Sequence, residues 1–131
     1  VLRASSEVAV PEKVVGDAPS KHFVANPDPS TKPFRVVLIA GFETFNRELY
    51  RRAADRATAQ CPGLEIWVFT DKDITANSEA LDQALEGADV VFASLVFDFE
   101  EVQWLQQRIE KIPVRFIFES ALELMSNTQV G

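Results

Sequence analysis

The sequence predicts an α/β fold: an open, parallel, four-stranded sheet with helices on both faces. Three observations carry this reading. Apolar runs rich in β-branched residues begin at Phe34, Leu64, Val90 and Val114. Stretches of helical period separate them, and each run closes on glycine or on short polar residues. Strands that alternate with helices pair in parallel through right-handed crossovers, and strands buried on both faces lose the polar alternation of a half-exposed strand.

Residues 1–33 read differently. They hold five of the seven prolines (Pro11, Pro19, Pro27, Pro29 and Pro33) and no sustained period, so they are expected to form a flexible leader or linker. A short strand at 12–15 or 21–24 could still dock on a neighbour, and the only histidine, His22, is expected to be solvated there. The opening Val1-Leu2-Arg3-Ala4-Ser5-Ser6 is small, hydroxylated and basic, like the stub left when an organelle transit peptide is removed.

Residues 34–131 are expected to form the folded domain. Phe34 to Ala40 makes the first buried strand, closed by Gly41. From Thr44, the expected N-cap, Phe45, Leu49, Ala53 and Ala57 recur four apart, opposite Arg47, Glu48, Arg51, Arg52, Asp55 and Arg56. That pattern predicts an amphipathic helix facing inward on its apolar stripe and stopping at Pro62-Gly63. A second strand covers 64–69, and Asn77 or Ser78 caps a helix over 79–86 that stops at Gly87. The third strand covers 90–97, and Asp98 caps a helix with Val102, Leu105 and Ile109 inward and Trp104 at its flank. Pro113 ends this helix and opens the strand 114–118, after which Ser120 caps a short helix over 121–126. The expected strand order is 2-1-3-4, a flavodoxin-like sheet stopping before a fifth strand. Its edge at 114–118 would be hydrophobic and bare, as in a piece cut from a longer protein or one that needs a partner.

The totals narrow the function classes. Twenty acidic residues against thirteen basic give a net charge of −7, the opposite of a nucleic-acid footprint. A single cysteine, Cys61, allows neither an internal disulfide nor a cysteine zinc site. No apolar run approaches the ~20 residues of a membrane span.

Ligands of open α/β sheets bind beyond the carboxyl ends of the strands, near the switch in strand order. That rim would carry Phe42, Glu43, Thr44 and Asn46, then Asp71, Ser94, Asp98, Glu119 and Ser120, the candidate ligand or partner residues. A dinucleotide fingerprint needs three glycines after the first strand, where only Gly41 stands. A P-loop ending is absent, a flavin phosphate loop would not carry two phenylalanines, and no lysine follows Phe118 as a phospho-acceptor receiver requires. Glu43, Asp71, Asp98 and Glu119 could gather as a metal or acid–base cluster, but carboxylates at strand ends more often cap the next helix. Phe42, Phe45, Trp67, Phe97 and Phe99 could stack on a flat ligand, with packing as the plainer reading. No nucleophile stands beside a base in the sequence, so no catalytic or metal-binding residue is assigned.

Phe34 to Glu43, Asp89 to Glu101 and above all Phe116-Ile117-Phe118-Glu119-Ser120-Ala121-Leu122-Glu123-Leu124-Met125 resemble the amino-terminal region of the magnesium chelatase H subunit, which is related to the large cobaltochelatase subunit. Ser120, Glu123, Met125 and Gly131 fit the family's pattern, while Glu119 stands where plant relatives commonly have proline. The resemblance implies a much larger parent, a ligase forming nitrogen–metal bonds. That parent binds protoporphyrin IX for Mg2+ insertion in chlorophyll biosynthesis, driven by ATP on the partner I and D subunits. It also implies contact with a porphyrin-binding regulator, a chloroplast location in the stroma with envelope or thylakoid association, and a non-catalytic assembly or regulatory role for this segment. No cofactor is expected in the segment itself. The alternative is a free-standing binding or signalling module that dimerises through its exposed sheet edge.

Overall fold

In the computed structural model the residues described are 19–41 and 44–130, with side chains from Arg47 onward in the first helix. The expected strand possibility at 12–15 lies outside them. The elements run β1 (Ser20–Phe23), β2 (Phe34–Ala40), α1 (Thr44–Gln60), β3 (Leu64–Thr70), α2 (Asp73–Ala76), α3 (Ser78–Leu85), β4 (Val90–Ser94), α4 (Phe99–Ile109), β5 (Val114–Phe118), α5 (Leu122–Met125) and β6 (Gln129–Val130).

The expected four-stranded, all-parallel, flavodoxin-like sheet is incorrect. The sheet has six strands in the order β1-β3-β2-β4-β5-β6, and it is mixed. β3, β2, β4 and β5 pair in parallel, while β1 and β6 close the two sides antiparallel. β1 puts Ser20 opposite Val68 and Phe23 opposite Glu65. β6 puts Val130 opposite Val114 and Gln129 opposite Arg115, and the Thr128 hydroxyl accepts from the Ile117 amide at 3.2 Å. The β5 edge is therefore not bare along its whole length. Both added strands are too short and too polar to carry a periodic signal, and their partners, not their own sequence, define them.

Layering follows from the register. Val37, Ile39, Val91, Ala93 and Ile117 face one side, where α3, α4 and α5 bury Leu81, Leu85, Val102, Leu105, Ile109 and Leu124 in the main core. On the other side Ala54 of α1 packs on Ile66 and Val68, with Val36, Leu38, Tyr50 and Ala57 around them. α1 is turned from its expected orientation. Ala54 and Thr58 are buried, whereas Leu49 is 46% exposed and Ala53 also faces outward.

Two boundaries also move. β4 stops at Ser94 rather than continuing to Phe97, because Leu95 takes a left-handed φ of 61° that no ladder accommodates. Ser120 does not cap α5; Ala121 stands at that position. Asp98 does cap α4, accepting from the Glu101 amide at 3.1 Å.

Candidate functional site

The carboxyl-terminal ends of β2, β4 and β5 form a tightly bonded rim. The Gly41 amide donates to the Ser94 carbonyl at 2.8 Å, and a Cβ at Gly41 would lie 2.1 Å from the Leu95 oxygen. Only glycine lets β2 leave the sheet so close to the β4 turn. Leu95 and Glu119 both adopt positive φ, 61° and 45°, at the ends of adjacent strands. The Leu95 amide lies 3.3 and 3.2 Å from the Phe118 and Glu119 carbonyls, which joins the two strained turns.

Ser120 is the buried rivet between them. Its hydroxyl donates to the Phe118 carbonyl at 3.0 Å and accepts from the Val96 amide at 3.1 Å, while the Val96 carbonyl in turn accepts from the Ala121 amide. Ser94 meets the Tyr50 hydroxyl at 3.1 Å. Both hydroxyls named from the sequence thus hold the rim together. Glu119 is exposed, its conformation set by the turn. Phe42 and Glu43 lie outside the described residues; Thr44 and Asn46 begin α1, with their side chains outside them.

Asp71 and Asp98 are brought together, with a residue that sequence reading missed. Burial first, then the negative charges of Asp71 and Asp98, push the Glu101 carboxyl up to about 7. A carboxyl half-protonated at neutral pH can give or take a proton. The signal available in the sequence was its place three residues after the Asp98 cap, which turns it back toward the rim. Asp73, by contrast, is fully engaged: it accepts from the Thr70 amide at 2.8 Å and from the Asn77 side-chain amide at 2.6 Å. Among the described residues no three His, Cys, Asp or Glu side chains converge closely enough to hold a metal ion.

A second polar constellation lies at the β1 edge. Ser20 Oγ sits 2.8 Å from His22 Nε2, and His22 Nδ1 sits 2.5 Å from Asp55 Oδ1. His22 is therefore not solvated; its side chain is 10% exposed and ties β1 to α1. The order of groups is that of a serine-hydrolase relay, which nothing in the linear chain foreshadows because Asp55 is thirty-three residues away. A working relay also needs a substrate hollow and oxyanion donors beside the hydroxyl. The hollows along α1 and those beside α3 are lined by none of these three residues. The contact acts as a clasp.

Of the aromatics, Trp67 stacks on Phe69 at 6.0 Å and donates to Glu65, while Phe97 and Phe99 are 49% and 69% exposed. Phe42 and Phe45 fall outside the described side chains.

The chain is similar to the magnesium-chelatase H subunit of Chlorobaculum parvum, 27% identical over 100 residues, or 74% of this chain. It spans 8% of that protein's length. Residues 35–131 match the family model described as a domain of unknown function, DUF3479, and the chain belongs to that family.

Proposed function

We propose that the chain is the amino-terminal domain of a magnesium-chelatase H subunit and serves assembly or regulation rather than metal insertion. Support comes from one observation above the rest. Among the described residues, three polar side chains at the rim where an α/β sheet binds ligands are engaged within the fold: Ser120 with Val96 and Phe118, Ser94 with Tyr50, Asp98 with the start of α4. A rim so occupied favours a rigid scaffold over a substrate site. The chemistry of the parent, with protoporphyrin IX as substrate, Mg2+ as cargo and ATP on the I and D subunits, then belongs to the remainder of the larger protein. A chloroplast or other photosynthetic setting follows from the same reading, as does contact with a porphyrin-binding regulator. Among the described residues no helix is long and apolar enough to cross a membrane.

The test is removal of residues 20–131, β1 included, from the full H subunit. Chelation and co-purification with the ATPase subunits should fall, while porphyrin binding by the remaining protein, read by fluorescence quenching, is retained. Normal chelation together with normal partner binding would exclude an assembly role.

A further inference from the structure

The two sides of the sheet are covered unequally. On one side α3, α4 and α5 bury every central strand. On the other, α1 packs over β1, β3 and β2 and meets β4 only at its margin, where Tyr50 touches Phe92 at 5.9 Å edge to face. Register places Val36, Val90 and Val114 in one row, Leu38, Phe92 and Phe116 in the next, and Ala40, Ser94 and Phe118 in a third. The rows are buried under α1 only at one end. Phe92, Phe118 and Phe116 form a continuous aromatic strip, the Phe118 centroid 5.3 Å from Phe92 and 6.4 Å from Phe116, and Phe118 is 48% exposed.

α1 supplies the facing wall. A hollow of about 230 Å³ lies between Leu38, Tyr50, Ala53 and Phe92, and one of about 310 Å³ between Leu49, Arg52, Ala53 and Arg56. They are adjacent at Ala53, the inner one apolar, the outer one bordered by Arg52 and Arg56, and together they mark a groove along this flank of α1. The stripe Leu49–Ala53 has the spacing of a helix's buried face, yet it faces this groove rather than the sheet.

We propose that this groove receives an amphipathic helix from the remainder of the H subunit, which deepens the functional reading above and rests on it. Its apolar face seats on Phe92, Phe116 and Phe118 and its acidic flank meets Arg52 and Arg56. A helix is the element that fits because sheets of this class carry helices on both faces, and among the described residues no helix covers the position beside α1. Charge selects the occupant. A second copy docked about a two-fold axis would present the same basic lip to itself, whereas a carboxylate-bearing helix pairs it. The parent supplies ample chain, since this segment spans 8% of its relative.

A photoreactive benzoylphenylalanine at Leu49 in the full H subunit tests this. Illumination should link it to a peptide of the same polypeptide that has apolar residues at helical spacing and Asp or Glu on one flank. The variant Arg52→Glu with Arg56→Glu, both exposed positions, should cut the yield at least five-fold, with an unchanged limited-proteolysis pattern of the full H subunit confirming that the fold is kept. Links to a second copy, links to another subunit, no links, or a yield indifferent to the charge reversal would each overturn the proposal. Impaired chelation on domain deletion alongside a Leu49 link to another protein would remove the helix and leave the assembly role. A harmless deletion with the intramolecular link formed would do the reverse.

Discussion

Gly41 shows how little room the rim leaves. Any side chain there meets backbone oxygens of Ser94 and Leu95, which cannot rotate away. Gly41→Ala should therefore cost more than about 2 kcal/mol, measured by urea unfolding; a loss below half that would mean the β4 turn moves freely. Glu101 makes the rim sensitive to pH. Its carboxyl titrates at about 7 in the folded chain against 4.5 for an unperturbed glutamate. Between those values the folded chain holds a proton that the unfolded chain has released, so stability falls as pH rises through that window and levels off above it. Glu101→Gln should remove this part of the slope and stabilise the domain at pH 8 relative to wild type. Because the group is partly solvated, the gain should be a few tenths of a kcal/mol up to about 1. Equal wild-type and variant differences between pH 5 and pH 8 would rule out the effect. His22 illustrates why residue roles were only partly legible. Its environment comes from Asp55 on another element, and nothing local announces it.

At the scale of elements, two arginines perform the same task. Arg35, second in β2, directs Nη1 to the carbonyls of Gln83, Ala84 and Glu86 at the end of α3. Arg115, second in β5, directs Nη1 to those of Ile109, Glu110 and Ile112 at the end of α4. Each satisfies orphan carbonyls and places positive charge at the negative helix terminus. Arg35 also pairs with Glu65 at 2.8 Å, and the Glu65 side chain is only 6% exposed. Arg35→Ala leaves that carboxylate buried and unpaired, so it should destabilise by about 3 kcal/mol or more. The double variant Arg35→Met with Glu65→Gln should recover part of that loss, since the buried charge is gone and an amide oxygen still faces Trp67. If the double variant is no more stable than the single one by calorimetry, the cost lies in the lost helix cap. The long elements were readable because their apolar residues repeat, and α4 had its Asp98 signal. α1's orientation was not. Its stripe at Leu49 and Ala53 is genuine, but nothing in a single chain says whether such a stripe meets its own sheet or another segment.

For the molecule as a whole, the two outer strands decide how the sheet behaves. β6 pairs with only the first part of β5, and Thr128 takes the Ile117 amide beyond it. A chain shortened to end at Asn127 should expose that ladder and associate, visible as a rise in light scattering with concentration; a strictly monomeric product would show that Phe116 and Phe118 alone do not drive pairing. The central order could be inferred from alternation of strands and helices, whereas closure at both sides depended on four-residue and two-residue segments with no pattern of their own. Those segments also set how the domain would carry load. Ser20 pairs with Val68 near the rim end of β3, while Val130 pairs with Val114 at the opposite end of β5. The flanking chain therefore enters at one corner of the sheet and leaves at the diagonal corner. Tension between the two points crosses all six strands, and the outer ladders, with four and two paired residues, are expected to part first in a pulling experiment.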